Sequence, residues 1–504
     1  MGESKTITKQ VEANTAYKKV FKATSLFGGV QIIQVILNLL RGKVIALLLG
    51  ASGMGINSLF VSSVTIISNV TGLGLNFSSV RDISQAVESG NKEKISRIIH
   101  VFSRWLNVTA LLGMIAVLLF SPILSSTTFG SNKYTVAFLF LSLMVLFNTL
   151  STGNGSMLRG ARDNKGYAKL TLTGSAVSLL ISVPLYYFFG IEAIVPALIL
   201  SAFVTYLFSL YYTSKIRKSD VKMSLRQSLF EGGDMVKLGV AMMATTAITS
   251  LVHYLLNIFI SSKGSVADLG FYQAAMNITN QSIGLIFTAI IIDYQPRLAA
   301  VSNDNSKVRE MVNHQAEITL LIAAPILILL IIASPLMIRV LLSEEFLHIS
   351  GLIRVLAFGM IFKAASYSIG AISYAKGDKR VFFLMEGGYT NLSFLIFCAG
   401  GYYLGGLIGL GYAFILMQAV YLILINIVNN ILYEYRPSRI LFKLFFSQLL
   451  LITVVFVSHL TSGSVYMYLI SIPVLLLSLI LSFRYLDSFI GIKQYILKFF
   501  RKEV

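Results

Sequence analysis

About fourteen runs of roughly twenty mostly apolar residues follow one another along this chain, separated by short polar turns. They begin near Ser25, Met54, Val101, Tyr134, Leu170, Ile191, Met235, Leu269, Ile318, Ser350, Val381, Leu404, Leu444 and Tyr466. A helix of that length crosses a hydrocarbon slab of about 30 Å, and a backbone in lipid must satisfy its own hydrogen bonds. Spanning β-structure would instead show short segments of alternating polarity. The runs therefore predict an all-α integral membrane protein with about 14 transmembrane helices. Charged residues make up only 12% of the chain, about half the usual share of a soluble domain.

The runs are also written twice. Lys22 recurs as Lys237, Gly55 as Gly270, Arg81 as Arg297, Asp163 as Asp378 and Lys165 as Arg380, all about 215 residues apart. Tyr186, Tyr187 and Gly190 recur in order as Tyr402, Tyr403 and Gly406, and Ala197, Ile199 and Leu200 as Ala413, Ile415 and Leu416. This duplication predicts two six-helix lobes, residues 1–218 and 219–436. An even number of spans gives both copies one orientation, so they should be related by a pseudo-two-fold along the membrane normal. Such repeats point to a transporter with its site between the copies. The polar stretch from Lys215 to Asp234 is the expected hinge. Residues 437–504 have no mate and predict an extra two-helix hairpin. An interfacial amphipathic tail should follow it, in which Phe489, Ile492, Ile496 and Phe499 alternate with Lys493, Lys498, Arg501 and Lys502.

A net charge of +19 could suggest nucleic acid, but the bases are divided among loops. Every second loop is basic, from Lys18, Lys19 and Lys22 through Arg159, Arg162 and Lys165 to Arg436, Arg439 and Lys443. The intervening loops hold only Lys133 and Lys263 as bases. By the positive-inside rule both termini are cytoplasmic, and no nucleic-acid partner is expected. The single cysteine, Cys398, excludes an intrachain disulfide. Met1 to Lys22 lack an apolar core, so the first span should act as an uncleaved signal anchor.

No phosphate-cradling glycine loop, metal-spaced His or Cys cluster, or soluble domain of enzymatic size appears, so neither catalysis nor a metal or cofactor is expected. The informative residues are polar ones within spans. Gln31, Gln34, Asn38 and Arg41 are spaced to share one helical face. At the repeat offset stand Thr246, Thr249 and His253, extended by Asn257, and Arg41 alone has an apolar mate, Leu256. An arginine near the bilayer centre costs about 2.5–3.5 kcal/mol even on the lower scale. That cost predicts a polar cavity around Arg41; the alternative is an ion pair or carbonyl contacts within one lobe. For His253 the alternative is a structural hydrogen bond between helices.

Lys363, midway along the tenth span with Tyr367, Gly370 and Tyr374 on its face, is the second cavity cation; its mate is Asn148. Lys43 and Arg354 join the candidates, although long basic side chains near span ends can snorkel to water, as expected of Arg339. Carboxylates at that depth are limited to Asp293 and Glu386, the candidates for a coupling ion. Asp293 can equally pair with Arg297 one helical turn on. A cavity of net positive charge favours an anionic substrate and disfavours the cations of multidrug antiporters.

Residues 41–56, Arg-Gly-Lys-Val-Ile-Ala-Leu-Leu-Leu-Gly-Ala-Ser-Gly-Met-Gly-Ile, resemble the first-span exit and external turn of the Wzx-type O-antigen and polysaccharide flippases. Residues 157–166, Met-Leu-Arg-Gly-Ala-Arg-Asp-Asn-Lys-Gly, are similar to the cytoplasmic turn after that family's fourth span. The twin bundles resemble the wider multidrug, oligosaccharidyl-lipid and polysaccharide exporter superfamily. Gly42 and Lys43 match the family's Gly-Lys motif, while Ala51 stands where proline is common and the terminal hairpin is additional. The resemblance implies a substrate: an oligosaccharide on undecaprenyl pyrophosphate, moved between leaflets of the bacterial inner membrane by alternating access. It implies a polysaccharide polymerase and a chain-length regulator as partners. A cation antiporter of the same fold is the alternative; a membrane-embedded glycan polymerase would call for larger external loops.

Overall fold

The computed structural model describes the backbone over residues 2–216, 223–461 and 464–490, and side chains over 28–216, 223–288, 290, 293–461 and 466–488. The basic residues Lys18, Lys19 and Lys22 and the amphipathic tail from Phe489 onward lie outside the described side chains. Among the described residues the structure is helical, with no strand.

The helices run in order as α1 (Gly2–Thr71), α2 (Leu75–Glu88), α3 (Lys92–Phe129), α4 (Thr135–Gly160), α5 (Asn164–Phe189), α6 (Ile194–Thr213) and α7 (Leu225–Glu231). There follow α8 (Gly233–Lys263), α9 (Val266–Ala300), α10 (Asn305–Leu341) and α11 (Ser350–Ala375). The short α12 (Lys379–Phe382) leads through a π-helical segment, Phe383–Tyr389, into α13 (Thr390–Tyr433), then α14 (Arg439–Thr461) and α15 (Ser464–Ile490).

Ten helical stretches among the described residues are long and apolar enough to cross a membrane, and α9, bent by 43° between Thr288 and Asp293, adds an eleventh. Three of the ten are double length: Gly28–Thr71 (44 residues), Asn164–Thr213 (50 residues) and Lys379–Tyr433 (55 residues). At 1.5 Å per residue each would span about twice the hydrocarbon thickness as one rod. Each is broken by glycine in a conformation that L side chains avoid: Gly50 at φ 65°, Gly190 at φ 57° and Gly406 at φ 59°. Counting each broken stretch as two crossings gives the about fourteen that the apolar runs predict. Large apolar side chains face outward along them, such as Leu119, Phe188 and Leu404, a surface suited to lipid.

The repeated sequence produces repeated local structure. Gly190 and Gly406 occupy matching places and share nearly the same backbone, ψ −136° and −147°. Asp163 caps α5 by accepting from the Gly166 amide at 2.8 Å, and Asp378 caps α12 by accepting from the Val381 amide at 3.1 Å. The residue before each cap is left-handed, Arg162 at φ 60° and Gly377 at φ 69°. Between Arg380 and Tyr402 the repeat offset grows from 215 to 216 residues. The π-helical segment lies in that interval, and a widened turn is how a helix absorbs one inserted residue.

By internal contacts the chain forms two compact units, residues 1–49 with 60–250, and residues 50–59 with 251–504. In the first, α3 and α4 pack around Phe102, Leu106, Leu150 and Met157, with Leu75 and Ile83 of α2 closing one end. In the second, α10, α11 and α13 enclose Val312, Ile369, Ile372, Tyr421 and Ile425. Within this second unit a Cβ on Gly55 would meet the Val266 carbonyl, and a Cβ on Gly270 the Ala51 carbonyl. The two contacts are the same contact seen from each copy, since Ala51 and Val266 are also 215 residues apart.

Candidate functional site

The first unit contains a cavity of about 340 Å³. It arises because three helices turn small polar residues to one side at helical spacing. From α4 come Asn148, Ser151, Thr152, Gly155 and Arg159; from α5, Tyr167, Thr171, Ser175 and Ser178; from α6, Ser201, Ala202 and Thr205. Arg41 of α1 completes the lining. Gly174 deepens it: a Cβ there would press on Thr205 across the cavity wall.

The lining holds two guanidinium groups, seven hydroxyls from Ser and Thr, one amide and no carboxylate. Arg159, in the last turn of α4, donates to Ser156 Oγ at 3.0 Å and lies over the Tyr167 ring at 5.3 Å from its centroid. Arg41 forms no ion pair among the described residues, and its buried Nε has no hydrogen-bond partner. It sits within electrostatic reach of the buried Tyr186 phenol. The Ser201 hydroxyl is likewise buried and unpartnered. Fixed donors left open in a carboxylate-free space are suited to an oxyanion, which accepts both halves of an arginine fork.

The matching place in the second unit is built differently. Asn148, Thr152 and Thr205 correspond to Lys363, Tyr367 and Tyr421. Phe287 stacks on Tyr367 with centroids 4.3 Å apart, and Lys363 lies 5.7 Å from the Phe287 centroid. Glu386, carried by the π-helical segment, accepts a hydrogen bond from the Tyr421 hydroxyl and is within electrostatic reach of Lys363. Its carboxylate lies over the bare backbone of Gly370. His253, exposed on α8, packs on Phe394 at 5.2 Å and is within electrostatic reach of Lys363. Charge and aromatic rings thus take the space that hydroxyls line in the first unit.

Of the binding-site candidates named from sequence, Arg41 lines the hydroxyl-rich cavity and the others lie elsewhere. Gln31 and Gln34 are half-buried and Asn38 is exposed along α1, and Lys43 is half-buried just beyond Arg41. Asn257 is buried; its amide oxygen accepts from Gln273 Nε2 at 3.0 Å and its amide nitrogen faces Ser58 Oγ at 3.5 Å. Arg354 donates to Ser334 Oγ of α10 at 3.0 Å, apart from Lys363. Asp293 pairs with Arg297 at 2.5 Å on an exposed face. Lys363, Glu386 and His253 do come together. No group of three or more His, Cys, Asp or Glu residues able to hold a metal occurs among the described residues.

Two features escaped the sequence reading. Arg159 looked like one of many topology-setting loop bases, although it falls inside the 157–166 segment that resembles the flippase turn. The buried carboxylate Glu317, which accepts from Ser438 Oγ at 2.6 Å, stands just before the apolar run that begins near Ile318, where hydropathy alone does not mark it.

The chain is similar to known proteins in sequence and in fold. A lipid III flippase of Escherichia coli (strain K12) is 22% identical over 364 residues, 70% of this chain and 85% of that protein. A structure of the lipid II flippase MurJ in an inward closed conformation superposes with a TM-score of 0.68 at 16% identity, covering 93% of this chain and 99% of that one. An inward-facing multidrug resistance MATE transporter of the MOP superfamily gives the same TM-score and identity over 80% of this chain and 94% of its own. At that identity the two structures speak for the fold alone. Residues 44–351, well over half the chain, match the family described as polysaccharide biosynthesis protein, and the chain belongs to that family.

Proposed function

We propose that the protein is a flippase, not an enzyme, carrying an oligosaccharide linked to undecaprenyl pyrophosphate from the cytoplasmic to the periplasmic leaflet of the bacterial inner membrane. The cargo is a repeat unit of O-antigen, capsule or exopolysaccharide, and the two repeat copies move by alternating access. The observation that carries this reading is the carboxylate-free, hydroxyl-lined cavity in which Arg41 keeps an open Nε. Arg41 and Arg159 grip the pyrophosphate, and the hydroxyls complete its coordination. The similarity to a lipid III flippase supports the same class of cargo.

Lys363 and His253 serve the glycan or a further anionic group from the second unit, and Glu386 with Tyr421 is the candidate for a coupling proton. A polysaccharide polymerase and a chain-length regulator are the proposed partners. The cation antiporter, the second reading, shares the fold, but two unneutralised guanidinium groups repel a cation.

The deciding experiment uses protein reconstituted in vesicles with a lipid-linked oligosaccharide on one leaflet. Losing a charge-assisted hydrogen bond costs about 1.5–3 kcal/mol, so Arg41→Ala should slow transfer about 10- to 100-fold at normal protein level. Arg41→Lys should recover part of the rate, because it keeps the charge and loses the fork. Transfer at the wild-type rate in Arg41→Ala would rule out the cavity as the pyrophosphate site.

A further inference from the structure

The appended hairpin covers a place where the two copies of the repeat disagree. In copy one, Leu139 is an exposed apolar residue, 39% accessible. At the repeat offset copy two carries Arg354 instead. Here α14 and α15 pack against α10, and α14 also against α11. A cation has replaced a lipid-facing leucine, and two helices without a repeat mate have been laid over it.

The cover is itself polar on its inner side. Ser458 and Ser471 approach to 3.3 Å, and Gln448 accepts from Ser478 at 2.7 Å. His459 is 8% accessible; its Nδ1 contacts the Val455 carbonyl at 2.9 Å, which leaves Nε2 buried without a partner. Arg354 is within electrostatic reach of both His459 and Tyr468. Its Nε is used by Ser334, and no carboxylate pairs with it among the described residues. A half-buried arginine and a buried imidazole with an unpartnered Nε2 thus lie within electrostatic reach of each other, under the same hairpin, without a counter-charge. Burying such a group without an anion is costly, so the arrangement calls for one.

Depth decides which anion. Arg354 is the fifth residue of α11, His459 lies in the last turn of α14 and Tyr468 in the first turns of α15. All three are at the span ends opposite the basic loops, beside the exposed Tyr466, in the zone where aromatic side chains mark the headgroup level. The abundant anion there is lipid phosphate. We propose that Arg354 and His459 bind the headgroup phosphate of an anionic phospholipid of the leaflet opposite the basic loops, between α11 and the appended hairpin. The proposal does not depend on the flippase reading.

The test uses purified full-length protein stripped of lipid in detergent and examined by native mass spectrometry and thermal unfolding. Phosphatidylglycerol should be retained and should raise the unfolding midpoint, while diacylglycerol, which has the tails without the phosphate, should do neither. Arg354→Leu, the residue copy one carries, should weaken phosphatidylglycerol binding about tenfold or more, and Arg354→Lys should weaken it less. Equal effects of phosphatidylglycerol and diacylglycerol would overturn the proposal, as would wild-type binding by Arg354→Leu. If millimolar inorganic phosphate stabilises the protein as well as the lipid does, the ligand is a free anion and the lipid assignment fails. The comparison of the two lipids on wild-type protein decides even if Arg354→Leu does not fold.

Discussion

A single aspartate shows how this chain fixes its turns. The Val381 amide donates to one oxygen of Asp378 and the Tyr433 hydroxyl to the other at 3.0 Å, and these bonds hold the carboxyl below the usual carboxylate range. A carboxyl whose folded value is depressed stabilises the fold fully above its unfolded value of about 3.9, and that contribution disappears as pH falls through the folded value. Asp378→Ala should therefore lower the unfolding midpoint at neutral pH, and the gap to wild type should close as the medium is taken below about pH 4. A gap that persists in acid would contradict this account. At this scale the sequence is legible where charge interrupts apolarity, as for Arg41 and Lys363. It is opaque where hydroxyls do the lining. Ser151, Ser178 and Ser201 look like any serine in a span, because a hydroxyl can return its hydrogen bond to its own helix and needs no cavity.

Among elements, close packing at glycine carries more than helix propensity does. Alanine is the better helix former by about 1 kcal/mol, so Gly284→Ala, with open space around its Cβ, should be neutral or stabilising by up to that amount. Gly270→Ala in the same helix should instead destabilise by about 1–3 kcal/mol, because its Cβ meets the Ala51 backbone. Unfolding midpoints of the two variants in one detergent check the pair, and equal shifts would discount the contact. Apolar length and recurring glycine made the crossings and their turns readable from sequence. The π-helical segment was present there only as a slip of one residue in the repeat. Placing that slip required the backbone, since nothing between Arg380 and Tyr402 marks which turn widened.

For the whole molecule, the alternation of basic loops is the quantity to test. If it sets the topology, a fluorescent reporter at either terminus should be active in the cytoplasm, and a phosphatase that works only in the periplasm should be silent there and active when inserted near Lys133. The opposite pattern would invert every leaflet assigned above. The fold and the family were within reach of sequence because hydropathy and repetition are properties of long segments. The cavity was not, because it depends on which faces of α4, α5 and α6 converge. Its size has a further meaning. Pockets that enclose a drug-sized ligand begin at about 300 Å³, so 340 Å³ accommodates a diphosphate or one sugar and leaves most of an oligosaccharide outside. On the flippase reading, the protein grips the part common to all its cargoes and leaves the variable part ungripped there. The glycan could then change over evolution while the grip stayed the same.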